Sequence, residues 1–104
     1  MTGTSAGPLA GVKVLDFSRI LSGPYASMVL ADLGAEVIKV EPLEKGDETR
    51  SFPPFQGKLS HYYIALNRSK QSIALNLKSP DGVRVARDLA RQSDIVLENF
   101  RPGV

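Results

Sequence analysis

The chain has 104 residues, with 13 Lys and Arg against 11 Asp and Glu, a net charge of +2, one histidine and no cysteine. That length allows one small domain, the dispersed and nearly balanced charge makes no case for nucleic acid, and the lack of thiols excludes disulfides, a cysteine nucleophile and zinc–thiolate sites. The opening MTGTSAGP has neither an apolar h-region nor an Arg-rich amphipathic pattern, and no run approaches a membrane span. The expectation is a soluble cytoplasmic protein with no membrane partner, residues 1–8 forming a flexible tail.

Residues 12–41, VKVLDFSRILSGPYASMVLADLGAEVIKVE, read as strand, glycine-bearing turn, helix and second strand. Val12, Val14 and Leu15 form the short apolar run of a strand covered on both faces. Gly23 and Pro24 open the helix, with Pro24 in the first turn where its missing N–H is harmless. Ala26, Val29, Leu30 and Leu33 predict one apolar stripe, and Gly34 is a natural stop. The helix N-terminus, beside Ser18, Arg19 and Ser22, would suit an anionic group such as a phosphate.

Residues 42–68 carry three prolines, two glycines and the charged cluster Glu44-Lys45-Gly46-Asp47-Glu48 followed by Arg50. A connection of this length is a functional loop or holds a short helix, and LSHYYIAL at 59–66 is the candidate. Ser72 to Leu77 (SIALNL) reads as a third strand. Ser79 is the expected N-cap of the next helix, with Pro80 at N1 and Asp81 on the positive end of the dipole. That helix runs to about Gln92, burying Val83, Ala86, Leu89 and Ala90 and exposing Arg84, Arg87, Asp88 and Arg91, with Arg84 and Asp88 paired at i, i+4. Residues 95–97 form a fourth buried strand, followed by the turn Asn99-Phe100-Arg101-Pro102-Gly103. Two βαβ units with right-handed crossovers imply an α/β, Rossmann-like doubly wound and mainly parallel sheet. In such a sheet ligands sit at the carboxyl ends of the strands, beginning with the turn from Ser18 to Pro24.

Most catalytic patterns are absent. There is no G-x-S-x-G elbow, P-loop or H-E-x-x-H, and His61, a lone histidine in a Tyr-rich segment, reads as a surface or packing residue. The first turn has one glycine where a dinucleotide fingerprint wants three, so Glu41, 18 residues after Gly23, is a weak ribose ligand. Its plainer reading is a strand-end carboxylate facing solvent or capping a neighbour.

Five ordered motifs, VLDFSRILSGP, LADLGAEVIKVE, GDETR, NRSKQSIALNLKSPDG and DIVLENFRPG, together resemble the amino-terminal part of the class III CoA-transferase family (CaiB/BaiF type). That family also includes alpha-methylacyl-CoA racemase and formyl-CoA:oxalate CoA-transferase. The resemblance runs in one register from Leu9 to Val104. It implies a much longer protein with two domains and a homodimer of interlocked subunits, of which residues 1–104 supply the amino-terminal part of the large domain. It also implies CoA esters and small carboxylic acids as substrates, and no metal. Transferases of the family use an aspartate that forms a mixed anhydride and then an aspartyl-CoA thioester, and that aspartate falls beyond position 104. No residue here is expected to be catalytic: Asp16, Asp32, Asp47, Asp81, Asp88 and Asp94 read as turn, cap or surface residues.

The family pattern does place part of a coenzyme A cradle on this chain. It carries over to Leu21 and Ser22 after the first strand, to Leu75, Asn76, Leu77 and Lys78 at the end of the third, and to Asn99, Phe100 and Arg101 after the fourth. Lys78 and Arg101 can pair with phosphates, Arg101 bidentately, and Phe100 and Leu75 offer apolar surface to adenine. On the residues alone, Leu75 and Leu77 read as strand core. The chain departs from the oxalate-acting branch at Leu21, where that branch has glutamine, and at Pro42, where it has arginine. It keeps the long 52–67 segment that the racemase branch shortens, which favours a transferase, for example of dicarboxylic acids such as succinate and glutarate. A racemase and a non-catalytic nucleotide-binding module are the alternatives.

Overall fold

The computed structural model describes residues 7–103, so residues 1–6 of the expected tail lie outside the described residues. Six strands and three helices follow in order. They are β1 (Lys13–Asp16), α1 (Ser22–Asp32), β2 (Glu36–Glu41), β3 (Phe55–Gln56), β4 (Leu59–Ser60), α2 (His61–Asn67), β5 (Lys70–Ala74), α3 (Pro80–Arg91) and β6 (Ile95–Leu97). A 3-10 turn at Glu48–Ser51 sits between β2 and β3. Four strands form one parallel sheet in the order β5-β2-β1-β6, with Val14 opposite both Val37 and Ile95, while β3 and β4 make a separate small antiparallel hairpin. This is the expected α/β architecture with a mainly parallel sheet. β1 to β2 moves one way across the sheet and β5 to β6 moves the other, so right-handed crossovers put α1 and α3 on opposite faces.

The two central strands carry the core: Val14, Leu15, Val37 and Val40 are buried, and Ala31 and Ala35 pack with Val14 and Val37. Only Leu30 of the stripe expected on α1 lies against this cluster. Ala26, Val29 and Leu33 face outward, and the buried face is Gly23, Pro24, Ser27, Met28 and Ala31. The reason is a close approach at the start of the helix. A Cβ on Gly23 would stand 2.1 Å from the Cβ of Ser18, so Gly23 must point at the strand end, and one turn on this turns residues 27, 28 and 31 inward. Gly34, with φ 107°, ends the helix as expected.

The long connection holds the predicted helix, shifted to His61–Asn67 and capped by Ser60, whose hydroxyl accepts from the Tyr63 N–H. His61 is exposed. The third strand begins earlier than its apolar run and ends at Ala74; Leu75, Asn76 and Leu77 belong to the following turn, not to a strand. Asn76 causes this, because its side chain accepts from the Lys78 N–H and its carbonyl accepts from the Ser79 N–H, a turn that competes with pairing. α3 starts as expected, with the Ser79 hydroxyl accepting from the Gly82 N–H and Pro80 at the first position. Its ion pairs differ: Arg84 takes Asp81 at 3.1 Å and Asp88 takes Arg91 at 3.0 Å, both at i, i+3, which on a helix surface is as near as i, i+4. Ala86 is buried, while Val83, Leu89 and Ala90 are only half-buried.

Candidate functional site

The strand order reverses between β1 and β6, and the turns that follow these strands meet there, at the kind of edge where open α/β sheets bind ligands. The first turn is built from below. Asp16, fully buried at the end of β1, accepts from the Ser18 N–H at 2.8 Å, from the Ser18 hydroxyl, and from the Ser27 hydroxyl at 2.5 Å. It is therefore a buried cap, not a surface residue. Asn99 then fastens the fourth turn to the first: its Oδ1 accepts from the Arg19 N–H at 3.0 Å and its Nδ2 donates to the Arg19 carbonyl at 2.9 Å. The same Nδ2 lies 3.5 Å from the Ser22 hydroxyl. Between the two anchored residues Ile20 is forced to φ 73°, a conformation a β-branched side chain resists by roughly 1–3 kcal/mol. The Arg19 guanidinium lies over the Phe100 ring at 5.4 Å, a cation–π contact.

The third turn closes the other side. Gly82 lets it approach, since a Cβ there would fall 1.8 Å from the Asn76 carbonyl oxygen. Arg19, Pro42, Leu75, Asn76 and Lys78 are among the residues that line a cleft of about 150 Å³ at this edge. Of the residues that the sequence offers as a cradle, the structure thus brings Leu75, Asn76, Leu77 and Lys78 into one cleft and ties Ser22, Asn99 and Phe100 to it through Arg19. Leu21 and Arg101 are exposed and lie outside the cleft. Phe100 and Leu77 also line an apolar groove of about 350 Å³ with Val83 and Ala86. Asn99 is exposed, and its side-chain amide, bonded to both the N–H and the carbonyl of Arg19, is a buckle between the two loops.

Beneath this edge lies a set of buried ions that residue patterns had not marked as functional. Lys39, 1 % exposed, reaches Asp47 at 2.8 Å and donates to the Ser18 carbonyl at 3.2 Å. Asp47 in turn caps the 3-10 turn through Thr49. Glu41 is 3 % exposed rather than solvent-facing. It takes Arg50 bidentately at 2.7 and 2.8 Å, the Tyr63 hydroxyl at 2.7 Å, the Asp47 N–H at 2.7 Å, and the Ser72 hydroxyl. Lys70 lies 3.6 Å from Asp16 and donates to the Pro24 carbonyl and to Asn67. One signal was available: β2 reads EVIKVE, and period two sets Lys39 and Glu41 on the same face as Val37, where unpaired charge is untenable.

Burial opposes ionisation of both acids, but in each the hydrogen bonds prevail. Arg50, Ser72, the Asp47 N–H and Tyr63 hold the Glu41 carboxyl well below the usual range, and Lys39 with Thr49 lowers Asp47. Tyr63 is pushed up by burial and by its bond to Glu41. Burial lowers Lys70 to about 8 against the pull of Asp16. Among the described residues no cluster of three or more His, Cys, Asp or Glu could hold a metal ion, and no helix is long and apolar enough to cross a membrane.

Comparison with known proteins agrees with this architecture. The family model described as CoA-transferase family III matches residues 9–104. Human succinyl-CoA:glutarate CoA-transferase is 55% identical over 97 residues, 92% of this chain and 22% of that protein. Formyl-CoA:oxalate CoA-transferase of Escherichia coli is 44% identical over 100 residues, 92% of this chain and 23% of that protein. A solved CAIB/BAIF family protein from Brucella suis superposes with a TM-score of 0.88 at 40% identity, covering 95% of this chain and 27% of that one. The chain thus spans about a quarter of the length of the relatives it matches. Matched along nearly all its described length in both sequence and fold, it belongs to CoA-transferase family III.

Proposed function

We propose that this chain is the CoA-holding amino-terminal segment of a longer acyl-CoA:carboxylate CoA-transferase, and that its three turns form one part of the CoA cradle. The observation that carries this reading is the junction of Arg19 with Asn99, which gathers the turns after β1 and β6 beside the Lys78 cleft at the reversal of the sheet. Lys78 and Arg101 supply charge for phosphate groups, and Phe100, Leu75 and Leu77 supply apolar surface for the nucleoside. Dicarboxylic acids such as succinate and glutarate are the proposed class of acyl acceptors, in keeping with the similarity to human succinyl-CoA:glutarate CoA-transferase.

The nucleophile of the anhydride mechanism is proposed to lie beyond residue 104. The buried acids of this chain are unsuited to that work. Asp16 and Glu41 direct both carboxylate oxygens at fixed donors, and Asp47 faces Lys39 and Thr49, so none presents a lone pair to a substrate. Their role is to hold the turns.

The test is a pair of substitutions in the full-length protein. Arg101→Ala removes a charge-assisted hydrogen bond of about 1.5–3 kcal/mol, raising the apparent CoA-ester constant about tenfold or more and making binding less salt-sensitive. Arg91→Ala, on the solvated face of α3 and paired with Asp88, leaves that constant unchanged. Equal effects from the two, measured by steady-state kinetics at two ionic strengths, would overturn the cradle assignment.

A further inference from the structure

We propose that Arg19 is an anion ligand of the carboxyl-edge cleft, holding a phosphate group of the CoA ester together with Lys78; this rests on the CoA-transferase reading above.

Arg19 is distinguished by how completely the protein fixes it. Asn99 accepts from its N–H at 3.0 Å and donates to its carbonyl at 2.9 Å, so two hydrogen bonds tether its backbone. The next residue, Ile20, stays in the left-handed region at φ 73° as a consequence, and β-branched residues hold such a conformation where the surroundings over-determine it, most often at ligand sites. The guanidinium then rests over Phe100 at 5.4 Å, which fixes its plane without occupying its N–H fork.

Among the described residues, neither Arg19 nor Lys78 enters an ion pair, although both line the same cleft of about 150 Å³. The carboxylate on the wall of that cleft, Glu41, is turned to Arg50, Tyr63 and Ser72 and neutralises neither. Two cations without an ion-pair partner on one small space, Arg19 held over Phe100 and Lys78 exposed beside it, are matched by a group carrying more than one negative charge, with the guanidinium fork suited to two phosphoryl oxygens. The space is adequate for a phosphate or diphosphate group. Asn99 is accordingly a positioning residue, acting on the anion through Arg19.

The experiment is calorimetric binding of CoA, dephospho-CoA and pantetheine to the full-length protein, comparing wild type with Arg19→Ala, Arg19→Lys and Lys78→Ala. Arg19→Ala is expected to weaken CoA about tenfold and to leave pantetheine, which has no diphosphate or ribose phosphate, unchanged. Arg19→Lys keeps the charge but loses the fork, so a smaller loss on CoA alone is expected, and this variant carries the test should the alanine variant not fold. Persistence of the loss with dephospho-CoA assigns the diphosphate, and its disappearance assigns the ribose phosphate; either supports the proposal.

Equal losses on CoA and pantetheine would show that Arg19 merely packs against Phe100 and would overturn it. So would an unchanged CoA constant, or an increase confined to the KM of the acceptor acid. Failure of the wild-type protein to bind CoA at all would instead overturn the transferase reading on which this one stands.

Discussion

On the β2–β5 side of the sheet the carboxyl edge is closed by buried ions, whereas on the β6 side apolar residues stand open to solvent. Lys39, Asp47, Glu41 and Asp16 are each 3 % exposed or less, yet all are hydrogen-bonded or paired. Ile95 and Val96 in β6 are 39% and 51% exposed, and the groove between α3 and Phe100 is lined almost wholly by carbon. The first region uses polar specificity: a buried ion tolerates one arrangement of partners, so it fixes where the 42–68 connection docks and where the Ser18 turn lies. The second has apolar surface without a cover among the described residues. The ionic side thus takes its order from charges paired within this chain, while the flank of α3 and β6 leaves apolar surface uncovered among the described residues.

The largest expected effect breaks the ionic side. Lys39→Met leaves Asp47 buried without its cation and removes the donor to the Ser18 carbonyl, a loss of about 3–5 kcal/mol in urea denaturation. Replacing both partners, as Lys39→Met with Asp47→Leu, restores most of that loss, because no uncompensated charge remains. If the double variant is as unstable as the single one, the pair is not an isolated unit and the lattice extends through Thr49.

Acid provides an intermediate test. The folded-state pKa of Glu41 is depressed, so its contribution to stability is complete above its ordinary value of 4.5 and is lost as pH falls below that toward the folded value. Asp47 acts in the same direction. Denaturation midpoints should therefore fall as pH drops below about 4.5, and Glu41→Gln should flatten that slope while lowering stability at neutral pH. An unchanged slope in the glutamine variant would assign the acid sensitivity elsewhere.

The smallest effect belongs to the open side. The Arg91–Asp88 pair on α3 is exposed, with side-chain exposures of 75% and 57%, and Arg91→Ala should change stability by under about 0.5 kcal/mol. A larger change would mean that α3 is covered in solution, which would narrow the contrast between the two sides.

Local residue patterns were enough for the four strands of the parallel sheet and the three helices in their order, the parallel α/β class, the caps at Ser79 and Gly34, and the grouping of three turns at one sheet edge, but not for the 3-10 turn or the β3–β4 hairpin. These follow from local rules: apolar runs, a proline or glycine that only certain backbone positions accept, and short polar side chains that satisfy helix ends. Tertiary structure decided the rotation of α1, which depends on Gly23 meeting Ser18 across a turn, and the early end of β5, where the Asn76 turn prevailed over an apolar run. It also decided the use of Glu41, Lys39 and Arg19. Each of these finds its partner six to eighty positions away along the chain, at Asp47, Ser18 or Asn99, and a partner brought near only by folding leaves no local pattern to read.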